Sequence, residues 1–221
     1  MKYRYMSHSI PGEFTTYGGF ANLKTKKIKS ISEGGTSNTY RFSMEDHWGT
    51  HIDLPNHFFD HGAKINSYPA NFWIFSNPEV ITISLAPSEL LGCVDRTRSI
   101  NPKTDFLIIQ CGWGRYKEDR IYGVKNPGLH PDLSRMLRTN YPKLRAVGID
   151  SPSISSYDKR DLGRQAHRLF LDPNGKSSPI VIVEDMKIDC DVSLLRKVFI
   201  LPLRIESIDS VPCTIVGEFN G

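Results

Sequence analysis

Between His47 and Phe58 the chain reads His-Trp-Gly-Thr-His-Ile-Asp-Leu-Pro-Asn-His-Phe, which crowds three imidazoles and a carboxylate into one short segment. His47, Gly49, His51, Asp53, Pro55 and His57 all fall at odd positions, so an extended chain, with its side-chain period of two, projects them from one face. A helix is disfavoured. It would keep His47 near His51 but turn Asp53 off their shared face, and Gly49 and Pro55 both oppose a helix interior. A straight strand would separate His47 from Asp53 by roughly 20 Å at ~3.3 Å per residue, too far for one ion with bonds of ~2.0–2.2 Å. The segment is therefore expected to be a strand that bends at Gly49 and opens into a loop.

Imidazole and carboxylate without thiolate suit a borderline divalent ion, zinc first and manganese second, with iron also compatible; open positions on such an ion suit catalysis. Burying three histidines and an aspartate unpaired would be costly, which favours a metal over a purely structural polar network. Downstream, His167 lies mid-helix and Glu184 directly follows the apolar run Ile180–Val183, where a strand delivers a side chain to a sheet end.

The 221 residues are 39% apolar and 24% charged, which places the chain with ordinary globular proteins and sets disorder aside. The net charge of +4, from 28 basic and 24 acidic residues, is small and dispersed, so nucleic acid is not an expected partner. The densest basic run, Lys24–Lys29, reads as a solvated loop or edge strand. No stretch approaches the ~20 apolar residues of a membrane span, and the first eight residues lack the apolar core of a secretory signal. A cytoplasmic protein is expected, with Cys93, Cys111, Cys190 and Cys213 as buried free thiols because none forms a CxxC pair.

No repeat or linker divides the sequence, so residues 1–221 are expected to form a single domain. Residues 1–45 read as short strands and turns, with 40–44 alternating into the histidine cluster. Strands are expected at 80–85, 105–111, 144–149, 180–183, 199–201 and 213–216. Helices are expected near 87–91 and 131–137, where proline stands at the first turn, and over 161–171, with Leu162, Ala166, Leu169 and Phe170 buried. The alternation indicates a strand-rich α/β protein with helices packed on the sheet.

The segment from His47 to Phe58 resembles the HxGTHxDxPxHF signature of the cyclase-like metal hydrolases, the family that includes bacterial kynurenine formamidase and isatin hydrolase. Further similarity runs through Gly112-Trp113, Val147–Ser151 with Ser153-Ile154, the His167 helix, Glu184, Leu201–Leu203 and Val211-Pro212. The resemblance implies a swivelling β/β/α-type fold, a homodimer or homotetramer, and one or two divalent ions per chain. His47, His51 and Asp53 would hold the first ion, and Asp53 would bridge to a second held by His167 and Glu184. His57 would be the proton donor and acceptor. The substrate would be a small amide, formamide or lactam. The kynurenine formamidases of the family carry a tryptophan followed by Pro-Gly-Asp; the corresponding place here is Thr15–Phe20, where Tyr17 could stack on an aromatic substrate. No GxSxG elbow is present, which counts against an acyl-enzyme route of that type. Two other readings compete: a facial-triad iron oxygenase using His51, Asp53 and His167, which leaves His47 and His57 unexplained, and a non-catalytic metal-dependent binding protein on the same scaffold.

Overall fold

In the computed structural model, which describes residues 1–94, Thr97 and 99–221, the apolar runs become the middle of one mixed sheet. Among the described residues its strands run in the order Ile74–Phe75, Leu195–Pro202, Ser210–Phe219, His51–Asp53, Val181–Glu184, Ala146–Ile149, Phe106–Gln110 and Pro78–Thr82; Lys2–Tyr5 branches off by pairing with Ser210–Phe219. The four strands from Val181–Glu184 to Pro78–Thr82 are mutually parallel, and His51–Asp53 joins them to the antiparallel half.

The parallel strands are covered on both faces, which is why they read as continuous apolar runs. Their period of two sorts side chains between two cores. Leu107, Ile109, Val147, Ile149 and Ile182 share one core with Leu133, Leu137 and Phe170 of the helices. Phe106, Ile108, Val181 and Val183 share the other with Ile52, Val198, Val211 and Ile215. Three α-helices are described: α1 (Ile121–Val124), α2 (Pro131–Asn140) and α3 (Arg160–Leu171). Proline at the first position of α2 fits because an amide there would have no intrahelical partner, and the His130 ring accepts a hydrogen bond from the Asp132 amide.

Several expectations require correction. Residues 87–91 are not a helix: Ser88 adopts φ 58°, its amide donates to the Lys125 carbonyl at 2.8 Å, and Leu90–Leu91 pairs with Gly128–Leu129 as a short parallel strand. The proline-first pattern lost because backbone groups of this stretch found partners outside it, the Glu89 carbonyl accepting from the Gly128 amide at 2.9 Å and the Leu91 carbonyl from the His130 amide at 2.9 Å. All four cysteines are free, but only Cys111 is buried; Cys93, Cys190 and Cys213 are partly exposed. In α3 the buried face runs through Gly163, Ala166, His167, Phe170 and Leu171, while Leu162 and Leu169 flank it. The Lys24–Lys29 run is a strand, exposed throughout and paired with Thr39–Ser43.

Gly163 lets α3 approach the 151–156 loop. A Cβ there would collide with the Ser155 side chain and lie 2.7 Å from its Cα. Alanine would gain about 1 kcal/mol of helix propensity but cost about 1–3 kcal/mol in overpacking. Gly163→Ala is therefore expected to lower stability on balance, read as a lower urea midpoint with an unchanged slope.

Candidate metal centre

The register of the central strand pair builds the site. His51 pairs with Glu184, Ile52 with Val183, and Asp53 with Ile182. Because paired residues share a face, His51, Asp53 and Glu184 lie together on the face that carries α3, while Ile52 and Val183 fill the opposite core. His167, on the buried face of α3, descends onto them.

Only His51–Asp53 of the histidine segment is extended, so the expected single strand face from 47 to 57 is not formed. His47 precedes the strand in a turn in which Gly49 takes φ 70°, the left-handed conformation that glycine supplies without strain. His57 closes a short 3-10 turn begun by Pro55. The bend expected at Gly49 is present, and a second one after Leu54 brings His57 back: the His47 and His57 rings lie 4.4 Å apart, centroid to centroid.

Distances among the donors are short. Asp53 Oδ1 lies 3.1 Å from His47 Nδ1 and 3.6 Å from His51 Nε2, while its Oδ2 lies 3.5 Å from His167 Nε2. Glu184 Oε2 lies 3.3 Å from His51 Nε2, and Oε1 lies 3.2 Å from His167 Nε2. Asp53 thus faces three imidazoles and Glu184 two. Glu184 Oε1 also accepts from the Ser153 hydroxyl at 2.9 Å and the Ile154 amide at 2.7 Å, which fix its rotamer.

The outer nitrogens of two rings are tied to backbone carbonyls. His51 Nδ1 is 2.8 Å from the Gly49 carbonyl, and His167 Nδ1 is 2.9 Å from the Gly163 carbonyl. A carbonyl can only accept, so both Nδ1 atoms carry the proton and both Nε2 lone pairs face the carboxylates, the tautomer a metal ligand needs. His51 Nε2 and Asp53 Oδ1 are buried without a hydrogen-bond partner. Unpartnered buried polar atoms are expensive, and a cation between them removes the cost. The donor set therefore fits a divalent ion.

Electrostatics points the same way. Burial opposes charge on His47, yet Asp53 beside it lifts its pKa to about 9. Burial likewise opposes charge on His167, and hydrogen bonds to Asp53 and Glu184 raise it to about 10. Burial and the Asp53 charge both work against ionising Glu184, but His167 and His51 hold it down at about 2. Two ionised carboxylates in a buried site need cations around them, and protons and metal compete for the same lone pairs.

His57 is held differently. Its Nδ1 lies 2.6 Å from Asp209 Oδ2, a carboxylate that the sequence reading did not single out. Asp209 directly precedes the strand Ser210–Phe219, in which Ser210 pairs with Asp53, so strand pairing carries it to the site from 152 positions away. A ligand atom of His57 also comes within 4.8 Å of ligand atoms of His47 and Asp53.

The cluster opens on a cavity of about 300 Å³ lined by Tyr17, Phe58, Pro152, Arg160 and Arg164 as well as the histidines and carboxylates. Tyr17 sits at the tip of the hairpin Glu13–Thr16/Gly19–Asn22, and the Gly18 amide donates to the Gly123 carbonyl of α1 at 2.9 Å. Burial pushes its hydroxyl pKa up to about 12. Nothing in the sequence flagged Arg160, Arg164 or Asp209 as members of the site, because the two arginines arrive with the start of α3 and Asp209 with the loop before a distant strand.

Behind the site, Asp185 ends the strand in a left-handed conformation, φ 56°. Its carboxylate accepts from the Tyr122 hydroxyl and from Lys117 Nζ at 2.5 Å, and its amide donates to the Ser151 carbonyl at 2.8 Å. The Thr50 hydroxyl donates to the Asp185 carbonyl at 2.6 Å. These bonds fix the backbone on either side of Glu184 and His51.

The Cyclase family model matches residues 5–156. The chain belongs to the Cyclase family. It is 25% identical over 211 residues to the kynurenine formamidase of Bacillus anthracis, covering 96% of this chain and 94% of that protein. It is 25% identical to cyclase-like protein 2 of Oryza sativa subsp. japonica, covering 94% of this chain and 75% of that one. Among solved structures, isatin hydrolase A from Labrenzia aggregata, bound to benzyl benzoate, superposes with a TM-score of 0.72 at 14% identity, over 99% of this chain and 94% of that one. A predicted metal-dependent hydrolase from Bacillus stearothermophilus gives 0.74 at 18%, over 98% and 97%. The strand-rich α/β fold is thus the fold of this family. No helix among the described residues is long and apolar enough to cross a membrane.

Asp185→Ala would leave a half-buried lysine and a buried phenol without their acceptor. Removing one partner of a buried ion pair costs about 3–5 kcal/mol. A loss of that size is expected in denaturant unfolding, with Asp185→Asn losing less because it still accepts a hydrogen bond.

Proposed function

We propose that this protein is a metal-dependent hydrolase that adds water across a small amide, formamide or lactam, giving a carboxylic acid and an amine. The observation that carries the reading is the buried, unpartnered pair His51 Nε2 and Asp53 Oδ1, flanked by Glu184 and His167 and open to a cavity beside His57. Family membership and the formamidase and isatin hydrolase relatives support the same class of reaction.

In this reading His47, His51 and Asp53 hold one divalent ion, zinc before manganese, and Asp53, His167 and Glu184 can hold a second. Asp53 could serve both, since one of its oxygens faces His47 and His51 and the other faces His167. A divalent ion in this site supplies Lewis acidity, polarising the scissile carbonyl and acidifying the attacking water. His57 takes the proton from that water and returns one to the leaving nitrogen, general acid–base work suited to imidazole. Asp209 accepts the Nδ1–H of His57, leaving Nε2 as the working atom and stabilising the imidazolium while it carries the extra proton. Asp209 is thus a positioning residue. Tyr17 and Phe58 offer ring faces to the organic part of the substrate. The functional unit is residues 1–221 as one domain, assembled as a homodimer or homotetramer.

Purified protein is expected to contain at least one zinc or manganese ion per chain by elemental analysis. His51→Ala should lose most of it, and Glu184→Ala should weaken metal affinity by about 10–100-fold or more, since supporting contacts alone are worth that much. Stoichiometric metal in His51→Ala would overturn the site.

His57→Ala is expected to fold and keep its metal while losing about 10²–10⁴ in turnover of an aryl formamide. Asp209→Asn should lower kcat with KM little changed and metal content intact. Loss of metal in step with activity in His57→Ala would instead make His57 a ligand, and full activity in the loaded variant would remove it from the chemistry.

A further inference from the structure

Two cations stand at the mouth of the cavity with no role in the hydrolytic scheme. Arg160 and Arg164 lie four positions apart in α3, both line the cavity that contains the metal cluster, and both are exposed. Local structure gives no reason for the pair. Like charges at this spacing weaken a helix by about 0.2–0.5 kcal/mol, and cations in a first turn oppose the helix dipole. Nor does either neutralise a buried acid. Among the described residues no carboxylate is within ion-pair distance of Arg160; Arg164 reaches only Asp161 at 3.4 Å, whose side chain is 93% exposed. The other nearby acid, Asp158, is engaged elsewhere, by Lys125 at 2.9 Å and Ser88.

Arg160 is instead held by a ring. Its guanidinium carbon lies 3.8 Å from the centroid of Tyr157, and the Tyr157 ring meets Tyr17 edge-on at 5.3 Å. A guanidinium stacked over an aromatic face keeps the N–H groups of its edge available, and that planar fork matches a carboxylate. Tyr17 belongs to both parts of the cavity, its ring beside the Tyr157 that carries Arg160 and its side chain in the same lining as Glu184. The same lining thus carries buried carboxylates and imidazoles, the rings of Tyr17 and Phe58, and two exposed guanidiniums.

We propose that Arg160 and Arg164 select substrates carrying a carboxylate, held at the cavity mouth while the amide lies at the metal cluster. This rests on the hydrolase reading for the amide end. It adds that the substrate class is a small anionic amide, with a planar spacer between the two groups suited to a cavity of about 300 Å³. Positive charge at the mouth would also speed capture of an anion at low salt.

The test uses metal-loaded protein and a matched pair of ketones that cannot be hydrolysed, 4-acetylbenzoate and acetophenone, with binding followed by calorimetry. The carboxylate is expected to tighten binding about tenfold or more, and this margin should fall to about twofold in Arg160→Gln/Arg164→Gln and shrink as salt is raised. Each substitution lies at an exposed helical position, so folding is checked by circular dichroism, and the single variants report each arginine separately. No margin in the parent protein would overturn the proposal. So would a margin that survives the double variant, since the carboxylate would then be held at the metal. Hydrolysis of formanilide and 4-formamidobenzoate is measured alongside. Failure of both to react counts against the hydrolase reading and leaves the binding margin to decide the role of the arginines.

Discussion

Two carboxylates held out of water on adjacent strands govern the rest of this structure. Asp53 and Glu184 are each nearly fully buried, and an isolated buried carboxylate would sooner take up a proton than remain charged. Both are instead held in the ionised form, because Asp53 faces three imidazoles, Glu184 faces two, and Glu184 accepts two further hydrogen bonds from Ser153 and Ile154. Removing those partners one at a time would leave uncompensated charge. The result is a site that requires cations and is already shaped to hold them.

Its precision comes from strand register. Period-two alternation places His51, Asp53 and Glu184 on the α3 face and sends Ile52 and Val183 into the opposite core. A slip of one residue would bury the charged set among Val198, Val211 and Ile215 and turn the apolar set to the cavity, so core packing and site geometry enforce the same pairing. The network behind the sheet adds a second constraint. Asp185 gives up a relaxed backbone conformation so that its carboxylate can meet Lys117 and Tyr122 while its peptide groups meet Ser151 and Thr50. Strain of this kind persists only where the surroundings overdetermine it, and here it fixes the strand end that bears Glu184.

The cavity joins parts of the chain with little else in common. A hairpin tip supplies Tyr17, the start of α3 supplies Arg160 and Arg164, and the residue before a C-terminal strand supplies Asp209. Gly163 and Gly123 allow the close approaches that make this possible, one under Ser155 and the other under Thr16, where a Cβ would strike neighbouring atoms.

The sequence by itself determined the ligand chemistry and most of the elements. Imidazoles and a carboxylate at alternating positions around Gly49 mark a segment rich in metal-ligating donors, and apolar runs with their flanking turns mark the parallel strands, α2 and α3. These signals are local, and local residues create them. Tertiary structure alone decided what depends on contacts between distant positions: that His47 and His57 reach the cluster through turns on either side of a three-residue strand, that residues 87–91 abandon a helix for external partners, and that His167 belongs to the buried face of its helix. The same holds for Asp209 and the two arginines. An exposed-looking arginine or a lone aspartate carries no signal in its own neighbourhood, and acquires a role only when strand pairing or helix packing brings it within hydrogen-bonding or Coulombic reach of the site.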